Sequence, residues 1–275
     1  ITLTDGTNGG LATNYSLSTG QTTTANITPK TLTASASASN KTYDGTTTAI
    51  STLTFSGLIG SETLNQTVGS TFDNKNVGIG KTVTVNSIAL ADGTNGGLAL
   101  NYSISSGQIT TANITAKALS VSGITSSNKA YDGTTAATLG TGAVVYGGLV
   151  SGDTLTGTYS GVFDNSNVGT GKTVTITSSY GGADVNNYTI TDQASTTADV
   201  TTKALTATAS AANKTYDGTT TATTTLTFTG LVGSETLNQS VGSTFNNKNV
   251  GTGKSVTVNS ITLTDGTGLA ANYSI

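Results

Sequence analysis

The chain has 275 residues, a formal net charge of −3 and only 9% charged residues, and all 11 of its basic residues are lysine. A surface made of Thr, Ser and Asn has no basic run to set against phosphates, which excludes nucleic-acid binding. Cys, His, Met and Trp are absent, so no disulfide, thiolate nucleophile or imidazole ligand exists. No apolar run approaches the ~18 residues of a membrane helix, so no membrane insertion is expected in this segment.

Residues 1–29 read as the C-terminal part of a preceding repeat. Ile1 to Tyr15 matches Ile261 to Tyr273, and Ser16 to Thr28 matches Ser103 to Thr115. The stretch Asn40-Lys41-Thr42-Tyr43-Asp44-Gly45-Thr46-Thr47 then returns at Asn128 to Thr135 and at Asn213 to Thr220. Three further markers keep step with it. Gly57 to Leu64 recurs at Gly148 to Leu155 and Gly230 to Leu237. Asn76-Val77-Gly78 recurs at Asn167 and Asn249. Asn-Tyr appears at Asn14, Asn101, Asn187 and Asn272. The unit of about 86 residues suits a small domain rather than a solenoid coil. The expected domains are 30–116, 117–202 and 203–275, the last lacking its final strand. Aligning 30–93 with 203–266 gives 51 identities in 64 positions, whereas the middle repeat is divergent.

Within a repeat the pattern is β. Thr31–Ser37, Leu53–Phe55 and Thr82–Val85 alternate apolar with polar residues, and Ile109–Ile114 closes the unit in the same style. Turn signals separate these runs at Tyr43–Gly45, Gly57–Ser61, Asn74–Gly80 and Asp92–Gly97. The spacing predicts an all-β fold of tandem antiparallel β-sandwiches. Junctions such as Thr115-Ala116-Lys117 are too short for flexible linkers, which suggests a single-file rod.

The structural motif residues are Tyr43, Asp44 and Gly45, with Tyr131, Asp132 and Gly133, and Tyr216, Asp217 and Gly218. The expectation is that Asp bonds the backbone two residues on, that Gly takes φ > 0, and that Tyr buries its ring and ties its hydroxyl to a nearby backbone group. Leu58 and Leu64 should enter the core while Glu62 stays wet, and Val77 should plug the core from its loop. Gly80-Lys81-Thr82 ends like a phosphate loop. Lys75 stands where the first glycine belongs, and the motif leads into a strand, so a turn is expected there. Asp44, Asp132 and Asp217 are the candidates for calcium. A calcium site needs several oxygens together, and no Asp-x-Asp-x-Asp run supplies them. No catalytic residue and no cofactor are expected.

The motifs Lys-x-Leu-Thr, Asn-Lys-x-Tyr-Asp-Gly-Thr-Thr, Asn-Val-Gly-x-Gly-Lys-x-Val and Asn-Tyr resemble the YDG-type repeats of large bacterial surface exoproteins, among them filamentous-haemagglutinin-like and other giant repeat adhesins. The resemblance spans the whole chain. It implies Ig-like repeats on a secreted or surface-anchored bacterial protein, used for attachment or biofilm formation. The expected function is a structural stalk whose partners are neighbouring repeats of the same or an identical chain. Two alternatives stand beside it: a module binding glycans or another surface polymer, and an extracellular filament joined head to tail by strand donation.

Overall fold

The computed structural model describes residues 1–275 and is all-β, with many small sheets and four short 3₁₀ turns. It forms two compact units. One holds 1–41, 47–74 and 79–113; the other holds 42–46, 75–78 and 114–275. The loops 42–46 and 75–78 of the first repeat therefore belong with the second repeat.

The middle repeat shows the complete topology. One sheet has five strands in the order Lys129–Ala130, Ser195–Thr201, Gly169–Gly181, Thr156–Phe163 and Ala136–Ala137. A second has three, in the order Val145–Gly147, Lys117–Ser122 and Tyr188–Thr191. Their apolar positions alternate as the sequence does. Leu119 and Val121 from the smaller sheet, and Phe163, Val174, Ile176, Ala198 and Val200 from the larger, are all buried.

The sheets are mixed, which corrects the expected antiparallel arrangement. Lys117–Ser122 runs parallel to Tyr188–Thr191, with Lys117 opposite Tyr188. Lys129–Ala130 runs parallel to Ser195–Thr201. The physical reason is that the strand after Asn187-Tyr188 starts from the same end as the repeat's first strand. The first register thus brings Asn-Tyr to the head of the repeat, where the chain comes in. The second brings Tyr131-Asp132-Gly133 to the tail, where the Tyr131 N–H bonds the Thr201 carbonyl at 2.9 Å.

The first unit repeats these local pairings. Lys30 lies parallel to Tyr102, Thr33–Ala38 is antiparallel to Ser51–Ser56, and Leu64–Phe72 is antiparallel to Gly78–Asp92. Leu32, Leu53, Phe72, Val83, Val85 and Tyr102 are buried there. Residues 1–29 contain no strand but keep a local turn of the repeat. The Ala12 N–H bonds Asp5 Oδ1 at 2.6 Å, as Ala99 bonds Asp92 at 2.8 Å and Ala270 bonds Asp265 at 2.7 Å. In the third repeat Leu237–Phe245 pairs with Val256–Asp265 in a sheet of two strands.

Candidate functional site

The aspartate of each Tyr-Asp-Gly loop makes the expected local turn. Asp132 Oδ1 accepts the Thr134 N–H at 2.8 Å and its hydroxyl at 2.9 Å. Asp44 with Thr46, and Asp217 with Thr219, do the same. The glycine that follows has positive φ each time: +79° at Gly45, +76° at Gly133 and +80° at Gly218. The preceding lysine has a role that sequence reasoning missed. Lys129 Nζ donates to Asp132 Oδ1 at 2.8 Å and to the Thr134 carbonyl at 2.7 Å, while sitting 5.5 Å above the Phe163 ring. Lys214 repeats this with Asp217, Thr219 and Phe245. An Asp-to-Lys offset of three, with a Phe at the end of a facing strand, is the signal that could have found it.

These contacts set the aspartate chemistry. Burial pushes Asp132 up, but the Lys129 ammonium and the Thr134 donors outweigh it and hold the carboxyl down to about 2. Lys214 first, and then Thr219, hold Asp217 at about 2. A carboxylate already neutralised by a lysine is a poor start for a calcium site, and no cluster of three or more ligand side chains forms in the chain. The lysine of the phosphate-loop-like ending braces its own loop instead: Lys81 Nζ lies 2.9 Å from Asp73 Oδ1 and 2.8 Å from Asn74 Oδ1.

The tyrosines lead elsewhere. Tyr43 is 1% and Tyr131 5% exposed, as expected for buried rings. Their hydroxyls do not reach a nearby backbone group. Tyr43 donates to Asp153 Oδ2 at 2.7 Å, and Tyr131 donates to Glu235 Oε1 at 2.6 Å. Each carboxylate belongs to the following repeat. The same carboxylate also accepts the Asn-Tyr hydroxyl of its own repeat: Tyr188 to Asp153 at 2.6 Å, Tyr273 to Glu235 at 2.5 Å. That second hydroxyl in turn accepts the Val150 N–H at 2.9 Å or the Val232 N–H at 3.0 Å. The two rings meet edge to face, 5.6 Å apart for Tyr43 and Tyr188 and 5.5 Å for Tyr131 and Tyr273.

Two further motifs converge on the same place. Asn187 Oδ1 accepts the Val77 N–H at 3.0 Å, and Asn272 Oδ1 accepts the Val168 N–H at 2.9 Å. The amides Nδ2 of Asn187 and Asn272 donate back to Asn76 and Asn167. Two expectations are corrected here. Val77 and Val168 lie at the seam between repeats, not in the core of their own repeat. Glu62, expected to stay wet, is half-buried and accepts the Tyr102 hydroxyl, and the side chain of its counterpart Asp153 is only 2% exposed, because two tyrosine hydroxyls and the Lys75 ammonium satisfy it. The glycine of the loop also has a second duty. A Cβ on Gly45 would stand 2.7 Å from Val150 Cγ1, and one on Gly133 would stand 2.9 Å from Val232 Cγ1.

At the second seam the apolar core is continuous. Tyr131, Phe163, Val174, Ala198 and Val200 form one buried cluster with Leu205 and Tyr273 of the next repeat, and Val168 and Val232 pack against it. The third repeat's own Tyr216 is 58% exposed. Of the expected motif residues, then, two tyrosines enter seams and the third faces solvent.

A family model for the YDG domain matches residues 28–111, 115–198 and 201–275. The chain belongs to the YDG domain family. It carries three YDG repeats, and the Tyr-Asp-Gly, Asn-Val-Gly and Asn-Tyr motifs and the Asp153/Glu235 carboxylates meet at the two seams between successive YDG repeats. No curated protein and no solved structure matches the chain.

Proposed function

We propose that the chain is a stretch of a non-enzymatic stalk on a secreted or surface-displayed bacterial adhesin. Its YDG repeats are Ig-like β-sandwiches in single file that hold an adhesive region away from the cell for attachment or biofilm formation. The observation that carries this reading is the convergence of four recurrent motifs on the seams. The most strongly repeated side chains couple one repeat to the next at both seams. The extracellular bacterial setting comes from the resemblance to surface exoproteins. No helix of the chain is long and apolar enough to cross a membrane.

The glycan-binding alternative loses its best candidates, because Tyr43 and Tyr131 are buried. The other aromatic group, Tyr146, Tyr159 and Tyr180, is half-buried and bonds within itself and to Asp192.

Single-molecule stretching of the chain tests the stalk. Each repeat of about 86 residues should release about 300 Å of contour, less its folded length. Antibody labelling on expressing cells should place the repeats outside, and removing repeats should shorten the distance between cell and attached surface. Uneven extensions without a repeat step, or labelling confined to the cell interior, overturns the reading.

A further inference from the structure

The two seams differ in chemistry. At the first, Tyr43 and Tyr188 share Asp153 Oδ2, which leaves Oδ1 to Lys75 Nζ at 2.8 Å. Asp184 Oδ1 takes the same ammonium at 2.9 Å, and its Oδ2 accepts the Thr154 N–H at 3.0 Å. At the second seam Ser166 stands in the place of Lys75, Glu235 in that of Asp153 and Leu269 in that of Asp184. Glu235 gives one oxygen to each tyrosine, Oε1 to Tyr131 and Oε2 to Tyr273, so no oxygen is set aside for an ammonium as Asp153 Oδ1 is. The substitutions are matched: lysine faces two aspartates, and serine faces glutamate and leucine. A mixed seam would set a lysine against a single carboxylate already engaged by two tyrosines, or an aspartate pair against a serine with no counter-charge, in a partly desolvated place.

The tail of the third repeat is of the lysine kind. Asn213 to Thr220 and Asn247 to Gly251 are identical to Asn40 to Thr47 and Asn74 to Gly78, including Lys248 for Lys75. The counterparts Val77 and Val168 on the other two tails are half-buried at the seams. The head of the first repeat is of the other kind, with Glu62 and Leu98. Glu62 holds the Tyr102 hydroxyl, and Asn101 is exposed where Asn187 and Asn272 are buried.

We propose that the tail face of the third repeat, built from Tyr216, Lys248, Asn249 and Val250, docks a YDG repeat bearing aspartate at both positions held here by Asp153 and Asp184. The lysine-or-serine choice at the tail sorts which YDG repeat sits next to which. The proposal commits to that occupant because an identical tail, on the first repeat, already holds an aspartate pair. It rests on the chain being part of a repeat array, and not on where the array is displayed.

Amide exchange at the seam valines tests it, since the Val77 and Val168 N–H groups are bonded across the seams. The 275-residue chain is joined after Ile275 to a copy of residues 105–202, which supplies the counterpart of strand Ile109–Thr115 followed by an aspartate-pair repeat. A second version is extended with a copy of 191–275, which adds a glutamate–leucine repeat. The Val250 amide should become as protected as Val77 in the first, and exchange at least about tenfold faster in the second. Equal protection in both overturns the sorting, and none in either overturns the docking. In the unextended chain, Lys75→Ser should speed Val77 exchange about tenfold, and adding Asp153→Glu with Asp184→Leu should restore it. Unchanged Val168 and Val174 amides show that the repeats remain folded. Failure of that rescue overturns the matched code even if the stalk reading stands.

Discussion

A single hydroxyl illustrates how the repeats are joined. Tyr131 donates to a carboxylate that would otherwise lose one of its partners in a buried seam. Tyr131→Phe should therefore cost about 1.5–3 kcal/mol, the range for hydrogen bonds to charged groups. Tyr216→Phe, at an exposed position, should stay within about 0.5 kcal/mol of the parent. Denaturant unfolding of both variants measures the difference, and equal effects would show that the seam bond contributes nothing. The glycines give a second contrast. Gly45 and Gly218 have nearly the same positive φ, so alanine at either costs about 1 kcal/mol in backbone strain. Only at Gly45 does the new Cβ also meet Val150, whereas at Gly218 it meets open space. Gly45→Ala should be the more harmful of the two, and should raise exchange of the Val77 amide while Gly218→Ala leaves it alone.

At the scale of loops and strands, charge placement fixes the pH range over which the seams hold. Asp153 is pushed up by burial, but Lys75, Tyr188 and Tyr43 together bring it below its ordinary 3.8. The Thr154 N–H, and then Lys75, lower Asp184. A carboxyl whose pKa is lower in the folded state contributes stability above its unfolded value and loses it as pH falls through the folded one. The Asp132 and Asp217 turns, with folded values of about 2, should weaken over the interval from about pH 4 down to 2. The tyrosines set the alkaline side. The Glu235 bond and burial push Tyr131 up to about 12, and burial with Asp153 pushes Tyr188 to about 12. A raised folded pKa means the contribution is whole below the ordinary 10.0 and is lost as pH rises through about 12. Ultraviolet titration should show Tyr131 and Tyr188 ionising above the ordinary 10.0, together with loss of the seam. Ionisation of Tyr131 and Tyr188 near pH 10 would contradict the geometry.

For the molecule as a whole, the continuous cluster from Phe163 to Tyr273 makes the second and third repeats neighbours in stability as well as in sequence. Repeat arrays behave as sums of unit stabilities and nearest-neighbour terms. Removing the ring that joins two cores should lower the neighbour term: Tyr131→Ala should cost about 3–5 kcal/mol. It should also divide one cooperative thermal transition of these repeats into two. Calorimetry decides this through the ratio of van't Hoff to calorimetric enthalpy. A transition that stays single, with only its midpoint lowered, would mean that the coupling runs through the backbone pairing at the junction and not through the tyrosine.

The repeat, the strand content and the local turns were legible in the chain because each is a local property. Alternation at period two, Asp two residues before a Thr, and a glycine at positive φ all act within a few residues. The identity of the lysine that braces the turn was nearly legible, since Lys129 and Asp132 are three residues apart. What only the tertiary structure decided is where the repeated side chains point. A motif recurring in every repeat looks the same whether it serves its own core or its neighbour's edge. Tyr131 and Glu235 are 104 residues apart, and no periodicity in the chain distinguishes that partner from a nearby backbone group. The parallel registers Lys117 with Tyr188 and Lys129 with Val200 make the choice. They place one tyrosine at the head of a repeat and the other at its tail, where Tyr43 and Tyr131 are covered by the repeat that follows.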